Sequence, residues 1–218
     1  MSPNDDTKSR LLEAAGRVFS EKGYDLATVR EICLGADANV AAVHYYFGDK
    51  SRLYIEAVRE AQCARAEDVP IPQWQPEMSS EDKLRDFIKT FLTRLLGKGR
   101  PDWHLGIMLR ELAHPTQACH ELVRDYIRPM ADVLKVILDD FLPASMPMVQ
   151  RHLIGFSIVG QCLFYYVHKP IIRELVGDEE YQGYHIDLLA DHIARFTLSS
   201  LQSFTTSPPP VPLPETPA

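Results

Sequence analysis

The sequence predicts an all-α protein in which a small three-helix head at the N-terminus is joined to a larger helical body. Along most of the 218 residues, apolar side chains recur at the three- and four-residue spacing of amphipathic helices. Glycines, prolines and helix-capping residues separate these runs at short intervals. Little of the chain alternates in the manner of a β-strand. With 45% hydrophobic residues, the chain can bury one sizeable core.

Capping signals place the helices of the head. The first helix lies within DDTKSRLLEAAGRVFSEKGY, and Gly23 ends it. Thr28 begins TVRE, a capping box in which the threonine oxygen accepts from the Glu31 amide while the Glu31 side chain reaches back. Asn39 is an N-cap for VAAVHYYF, and Asp49 caps the longer helix that follows.

The second and third helices are each only about two turns long, so packing through Ile32, Val43 and Phe47 must hold them. Two short helices joined by a tight turn describe a helix-turn-helix, whose second helix can enter a major groove. Its outward face is predicted to be Val40, Ala41, His44 and Tyr45.

The chemistry of this face suits DNA. Small side chains allow close approach to base edges, and His44 can donate to or accept from a base. A tyrosine hydroxyl can bond a phosphate oxygen, and Lys50 adds positive potential. The formal net charge of the chain is -7, so any contact with DNA must be local.

Residues 8 to 55 resemble the N-terminal DNA-binding domain of the TetR family of one-component transcriptional regulators. The resemblance lies in LLEAAGRVFSEKGY, TVREIC and NVAAVHYYFGDKSRLY. It implies an all-helical dimer, a palindromic double-stranded operator, and a C-terminal body that binds a small effector and releases the DNA.

The same resemblance implies which residues meet DNA. Base-facing positions correspond to Arg30, Val40, Ala41, Ala42, His44 and Tyr45, phosphate-facing positions to Thr28, Tyr46 and Lys50, and the N-cap Asn39 belongs to the same surface. Two residues depart from the family pattern. Asp37 replaces the usual turn glycine, and His44 stands where tyrosine is frequent, so the operator sequence of better-known members cannot be assumed.

We divide the chain into a head at 1–55, a helical effector-binding and dimerisation body at 56–206, and a proline-rich tail at 207–218. In the body, helices are predicted from Ser79 or Ser80, within PDWHLGIMLRELAHP, and along a longer segment that Pro129 should kink. Two more follow, at 148–168 and at about 184–204. The tail SPPPVPLPETPA is expected to be disordered polyproline II, with a PxxP ligand role as the alternative.

The helix at 148–168 is apolar on nearly all sides and must be covered all round. One face can meet the body and the other a second copy, with Gly155, Ser157 and Gly160 permitting close approach and the last helix completing a four-helix interface. HLGIMLRELAHP, VRDYIRPM and GQCLFYYVHKP also resemble, more loosely, the C-terminal domain of the CecR-like subgroup.

An effector pocket between helices follows from that resemblance. The candidate lining residues are Trp103, Met108, Arg110, His114, Tyr126, Met130, Phe156 and Tyr165. Aromatic residues and methionines at helical spacing are more often ordinary core, and polar residues such as Arg110 and Glu111 also suit a solvated face or an internal ion pair. His185, Asp187, Asp191 and His192 lack a completing ligand cluster, so neither a metal nor a cofactor is predicted.

The sequence is compatible with two classes of function. The first is a ligand-responsive dimeric repressor. The alternative is a helical enzyme, or a metal or small-molecule sensor, that carries such a head. GFSIVG is not GxSxG, and there is no P-loop, HExxH or glycine-rich dinucleotide turn, so we expect no enzyme.

The N-terminal MSPNDDTKSR lacks the apolar core of a secretory signal. The longest apolar stretch falls short of the roughly 20 residues that a membrane span needs. The four cysteines lie far apart, as reduced thiols do. We expect a cytoplasmic protein with no membrane partner.

Overall fold

The computed structural model describes residues 3–63, 69–97, 99 and 101–206. In these ranges all regular structure is helical, which confirms the predicted all-α class. The α-helices are α1 (Pro3–Leu26), α2 (Val29–Gly35), α3 (Val40–Phe47), α4 (Lys50–Cys63), α5 (Ser80–Leu96), α6 (Asp102–Ala113), α7 (Gln117–Leu122), α8 (Arg128–Asp139), α9 (Met148–Val167), α10 (Lys169–Val176), α11 (Asp178–Tyr181) and α12 (Ile186–Thr206). A π-helical segment, Val123–Ile127, lies between α7 and α8.

The helices form two compact units. The first unit is made of the described residues of Met1–Pro70 and Gly97–Met130, and the second of those of Ile71–Leu96 and Ala131–Ala218. The first unit therefore includes α6 and α7, which begin more than fifty residues after the end of α3, because these helices pack on α1 and α4. The sequence-based division at residue 55 marks the end of the motif and remains a prediction.

The core of the first unit holds the two short helices in place. Ile32 of α2 and Val43 of α3 are almost wholly buried, and Phe47 closes the end of α3. Phe19 of α1 meets the ring of Tyr54 edge-on, with ring centroids 4.9 Å apart. The predicted packing through Ile32, Val43 and Phe47 is confirmed, and it stabilises helices that would be marginal alone.

The crossing of α1 and α6 is unusually close. A Cβ atom on Gly16 would lie 2.3 Å from the Trp103 ring, so only glycine fits under the indole. Trp103 Nε1 donates to Glu13 Oε2 at 2.8 Å. Arg110 Nε donates to the carbonyl of Ser20 at 2.6 Å and extends the contact to the end of α1.

In the second unit, α5 packs mainly on α12 and also on α9. Buried residues of α5 include Leu84, Ile88 and Leu92. Ion pairs border this contact: Lys89 Nζ lies 2.7 Å from Asp187 Oδ1. Since the apolar side of α5 faces α12 and α9, it forms the core of the unit.

The chain departs from α geometry beside Pro129, where a kink is predicted. The helix changes to π-helical hydrogen bonding over Val123–Ile127 and returns to α geometry at Arg128. A proline in a helix cannot donate to the carbonyl four residues earlier, and a wider turn next to it accommodates that loss. What the sequence presents as one long helix is therefore three segments.

Candidate nucleic-acid interface

The capping box of α2 is formed as predicted. Thr28 Oγ1 accepts from the Glu31 amide at 3.2 Å, and Glu31 Oε2 accepts from the Thr28 amide at 3.1 Å. The Thr28 hydroxyl also donates to Glu31 Oε2 at 2.9 Å. Lys22 Nζ bonds the other oxygen of the carboxylate. The pKa of the Glu31 carboxyl is lowered, most by its hydrogen bond with Lys22 and next by its hydrogen bonds with Thr28.

The turn between α2 and α3 depends on a left-handed aspartate. Asp37 has φ 48°, a conformation that aspartate tolerates better than most residues. The Ala38 amide donates to the carbonyl of Cys33 at 2.9 Å. Arg10 Nη1 donates to the carbonyl of Ala36 at 2.9 Å and fixes the end of α2 to α1. No pattern in the sequence indicates this role of Arg10.

Helix α3 begins at its predicted cap and shows two distinct sides. Asn39 Oδ1 accepts from the Ala42 amide at 2.9 Å. The inward side holds Val43 and Phe47. The outward side is exposed as predicted, and it consists of Val40, Ala41, His44 and Tyr45. This surface of four residues is called the α3 face below.

The three aromatic residues at the end of α3 have three different environments. Tyr45 is 75% exposed, Tyr46 is half-buried, and Phe47 belongs to the core. The Tyr45 and Tyr46 rings meet edge-on at 4.9 Å. Just beyond them, His44 Nδ1 lies 2.7 Å from the carbonyl oxygen of Gly48. The aromatics thus anchor the helix and present one ring outward.

The cations around the motif differ in how far they are engaged. Arg52 Nη1 lies 3.0 Å from Glu121 Oε1 of α7. Lys50 Nζ lies 4.6 Å from the centroid of the Tyr24 ring and donates to the carbonyl of Asp25 at 3.3 Å. Arg30 is exposed and makes no hydrogen bond or ion pair with the described residues. Arg30 and the half-buried Lys50 form no ion pair with the described residues, so their positive charges are not neutralised by a carboxylate as that of Arg52 is.

A buried carboxylate supports the helix that follows the motif. Glu111 of α6 is only 2% exposed and accepts from the Tyr54 hydroxyl of α4 at 2.7 Å. It also accepts from the Thr116 amide at 2.7 Å. Burial, and then the bond to Glu111, raise the pKa of Tyr54. From the sequence, Glu111 could contact a ligand, lie on a solvated face or form an internal ion pair, and nothing there indicates Tyr54 as its partner.

The effector candidates lie in both units. In the first unit, Trp103, Met108 and Met130 are buried, Tyr126 packs against the core, Arg110 bonds the end of α1 and His114 is exposed. In the second, Phe156 is 69% exposed and Tyr165 half-buried. Their role in effector binding remains a prediction.

A groove of about 360 Å³ runs between α9 and α12 in the second unit. Its lining is mainly apolar, and none of the eight candidates belongs to it: Gln150, Leu153, Ile154, Ser157, Ile158, Gln161, Phe196, Thr197, Ser200, Leu201 and Phe204. This groove lies on the helices that the sequence assigns to contact with a second copy.

Within the described ranges, no three histidine, cysteine, aspartate or glutamate side chains converge as metal ligands would. Asp187 pairs with Lys89 and Asp191 with Arg195. Burial raises the pKa of the Cys162 thiol to about 12.

None of the helices in the described part of the chain combines the length and the apolar character that crossing a membrane requires.

An exposed, capped helix held by a turn against a buried core defines the helix-turn-helix class of DNA-binding proteins. The model of bacterial regulatory proteins of the tetR family matches residues 11–57. The model of the C-terminal domain of the HTH-type transcriptional dual regulator CecR matches residues 80–201, more than half of the chain. The chain therefore belongs to the TetR family of transcriptional regulators, with a C-terminal domain of the CecR type.

Curated relatives agree with this assignment. The HTH-type transcriptional dual regulator CecR of Shigella flexneri is 25% identical over 217 residues, covering 89% of this chain and 96% of CecR. The HTH-type transcriptional repressor AcnR of Corynebacterium efficiens is 36% identical over 64 residues, which cover 29% of this chain. That match spans only 34% of the length of AcnR.

Solved structures share the fold. A TetR-like transcriptional regulator from Rhodococcus sp. RHA1 superposes with a TM-score of 0.62 at 20% identity, covering 90% of this chain and 96% of that one. FadR from Bacillus subtilis, solved in complex with stearoyl-CoA, gives a TM-score of 0.60 at 16% identity, covering 88% and 98%.

Proposed function

We propose that this regulator represses transcription by binding a palindromic operator as a homodimer, and that a small-molecule effector releases it. The single observation that carries the DNA-binding part is the α3 face. Four exposed side chains stand on a helix whose other side, at Val43 and Phe47, is buried. A short helix with one fixed side and one small, mixed outward side fits a major groove.

The phosphate contacts are proposed around this face. Lys50 and Tyr46 lie where α3 gives way to α4, whereas the exposed Arg30 of α2 is kept as a base contact. Both the amide and the hydroxyl of Thr28 donate to Glu31, so a phosphate oxygen must compete with that carboxylate for them. Lys50 therefore supplies the charge in this proposal, and Thr28 contributes only if Glu31 moves.

The dimer is proposed to form through α9 and α12. Leu153, Phe156 and Phe164 of α9 and Phe196 of α12 are all about half exposed or more. Such an apolar surface on a monomer marks a protein–protein contact. Gly160 has open space where a Cβ would stand, so a second helix can approach closely there. Two copies would bury these residues in a four-helix interface.

The response to an effector is proposed from the C-terminal domain. AcnR carries the name of a repressor and CecR that of a dual regulator, and FadR was solved with stearoyl-CoA. For this chain we propose a small molecule held between helices of the C-terminal domain, and a cytoplasmic site of action. No observation favours an enzyme over a regulator.

The test is equilibrium binding to DNA. Duplexes from upstream of the protein's own coding region are titrated with wild type, Tyr45→Ala and Leu175→Ala, where Leu175 is an equally exposed control far along the sequence on α10. Wild type and Leu175→Ala should prefer one duplex over a shuffled one, and Tyr45→Ala should lose about 1 to 3 kcal/mol of that preference. Turnover of a substrate without any specific DNA binding would contradict the proposal.

The effector arm uses the intact protein. Native mass spectrometry of the purified chain detects a co-purified small molecule, and adding that molecule should dissociate the specific complex. A molecule that binds the protein without changing its affinity for DNA would contradict the proposed release by an effector. The proposed binding of DNA would still stand.

A further inference from the structure

The imidazole of His44 is held in one orientation by the end of its own helix. Nδ1 lies 2.7 Å from the carbonyl oxygen of Gly48. A carbonyl oxygen can only accept a hydrogen bond, so Nδ1 must carry the hydrogen and donate it. A neutral imidazole has a single N–H, and therefore Nε2 is a bare acceptor. Within the described part of the chain, Nε2 has no hydrogen-bond partner.

Gly48 places the carbonyl that sets this tautomer. Its backbone has φ 84° and ψ -62°, the strained γ-turn geometry with positive φ that glycine adopts most readily. The Gly48 amide donates to the carbonyl of His44 at 3.1 Å, so the two residues are bonded in both directions. A Cβ on Gly48 would meet nothing within 4 Å, so glycine is needed here for its conformation and not for space.

The other side chains of the α3 face leave the hydrogen-bonding of bases largely to His44. Val40 and Ala41 have no polar atoms, and Tyr45 ends in a hydroxyl that can both donate and accept. His44 differs from all three because, in the neutral imidazole with its hydrogen on Nδ1, the exposed ring has a nitrogen, Nε2, that can only accept. The bases also differ: in the major groove adenine N6 and cytosine N4 donate, whereas guanine O6 and N7 and thymine O4 accept.

We infer that His44 recognises an exocyclic amino group, adenine N6 or cytosine N4, through Nε2 as a hydrogen-bond acceptor. This inference rests on the proposed binding of DNA by the α3 face. It assigns His44 a base preference opposite to that of arginine or lysine, which donate to guanine. Gly48 is the positioning residue, since its carbonyl fixes which ring nitrogen faces the DNA.

The tautomer is tested without DNA. Long-range ¹H–¹⁵N NMR of the imidazoles at pH 8, above the range in which histidines usually gain a second ring proton, separates Nδ1–H from Nε2–H rings. His44→Asn identifies the resonance by removing it. The inference expects the hydrogen on Nδ1 of His44 in the free protein. A dominant Nε2–H form would overturn it.

The base preference is tested by selecting duplexes from a random library with wild type and with His44→Ala. In the selected site, each adenine is replaced in turn by purine, which lacks the N6 amino group, and each cytosine by 2-pyrimidinone, which lacks the N4 amino group. At one position per half-site, wild type should lose about 5-fold in affinity, as expected for one neutral hydrogen bond. Whether purine or 2-pyrimidinone causes the loss tells which base His44 contacts.

Two controls complete the experiment. His44→Ala should bind the modified and unmodified duplexes equally at that position, and Leu175→Ala should lose about 5-fold as wild type does. A His44-dependent preference for guanine, or no sensitivity to any amino group, would overturn the inference while specific binding still supports the proposed function. Absence of specific binding to every duplex would overturn both, and the NMR result would then stand as a property of the free protein alone.

Discussion

The two compact units stabilise themselves in different ways. In the first unit, buried and half-buried polar bonds join helices, such as Tyr54 to Glu111 and Arg110 to the carbonyl of Ser20. In the second unit, polar contacts lie at the edges of apolar packing, as between Lys89 and Asp187. Directional bonds fix helix positions, whereas apolar contacts tolerate adjustment. The difference suits the proposed roles, in which the first unit presents a small face accurately and the second accepts a partner.

The exposed surfaces differ in the same sense. The α3 face offers a few mixed side chains on a short helix. The second unit leaves large apolar side chains, including Phe156 and Phe196, in solvent on α9 and α12. The first surface suits reading of a groove, and the second suits burial against another protein surface.

The largest effect is expected at Glu111. Glu111→Ala should lower the free energy of unfolding by about 3 kcal/mol, because the Tyr54 hydroxyl and the Thr116 amide are left buried without an acceptor. Tyr54→Phe removes one donor and should cost only about 1 kcal/mol. Urea unfolding measures both. Equal, small losses in the two variants would show that the buried network does not organise the first unit.

Phe156→Glu should act on association and leave the fold intact. A charge within the proposed interface should weaken the dimer by about 2 kcal/mol, roughly 30-fold in Kd. Sedimentation equilibrium measures the dimer, and circular dichroism checks the helices. The matched control is Val136→Glu, at an equally exposed position on α8. If Val136→Glu disrupts the dimer and Phe156→Glu does not, the interface has been assigned to the wrong helices.

Gly16→Ala should destabilise the first unit by about 1.5 kcal/mol. The added methyl group overlaps the Trp103 ring, which is itself buried and cannot move freely. Gly35→Ala in α2 is the control, since a Cβ there would lie at an ordinary contact distance of 3.5 Å from the Ala14 Cβ and alanine favours a helix. Thermal unfolding of the wild type and of both variants, at several protein concentrations, measures the loss of stability that each substitution causes. A Gly16→Ala protein as stable as wild type would mean that α6 does not pack closely on α1.

Lys50→Ala should weaken binding to all duplexes and reduce the slope of log K against log salt by about 1 per lost ionic contact, about 2 for a dimer. Tyr46→Phe keeps the ring and removes a neutral donor, so it should weaken binding with almost no change of slope. Titrations at three salt concentrations measure both. If Tyr46→Phe binds as well as wild type at every salt concentration, its role is packing alone.

The smallest effect concerns the cap of α2. The pKa of Glu31 is lowered from its ordinary value of 4.5. The hydrogen bonds of the Glu31 carboxylate therefore stabilise the cap fully at pH values above 4.5, and this stabilisation is lost as the pH falls through the lowered pKa. NMR titration should find Glu31 below 4.5, and Lys22→Ala should move it upward. A midpoint at or above 4.5 in wild type would show that the cap is not formed in solution.

Local features were predictable from the sequence, and long-range ones were not. The caps at Thr28 and Asn39 depend on residues within one helical turn, and the structure contains both. Asp37, which stands at the usual turn glycine of the family, adopts the left-handed conformation there. The bond between Tyr54 and Glu111 joins residues 57 positions apart, and no spacing rule indicates such a pair.

Two parts of the helical layout were also missed. Helices α10 and α11 follow directly after α9, where the sequence prediction placed no helix. Pro170 begins the first of them and Gly177 ends it, so helix signals were present but hidden beside a long apolar run. For DNA contacts, the exposure of the α3 face could be predicted, whereas the Gly48 carbonyl that orients His44 depends on an unusual backbone conformation.

The central claim is that the first unit reads DNA through the α3 face while the second unit pairs two chains. Sedimentation of the complex with a selected duplex, for wild type and Tyr45→Ala, tests it most directly. Two chains are expected on each wild-type duplex, with half-sites about 34 to 36 Å apart or a multiple of one turn, and Tyr45→Ala should lose the sequence preference. A single chain bound specifically, or unchanged preference in Tyr45→Ala, would contradict it.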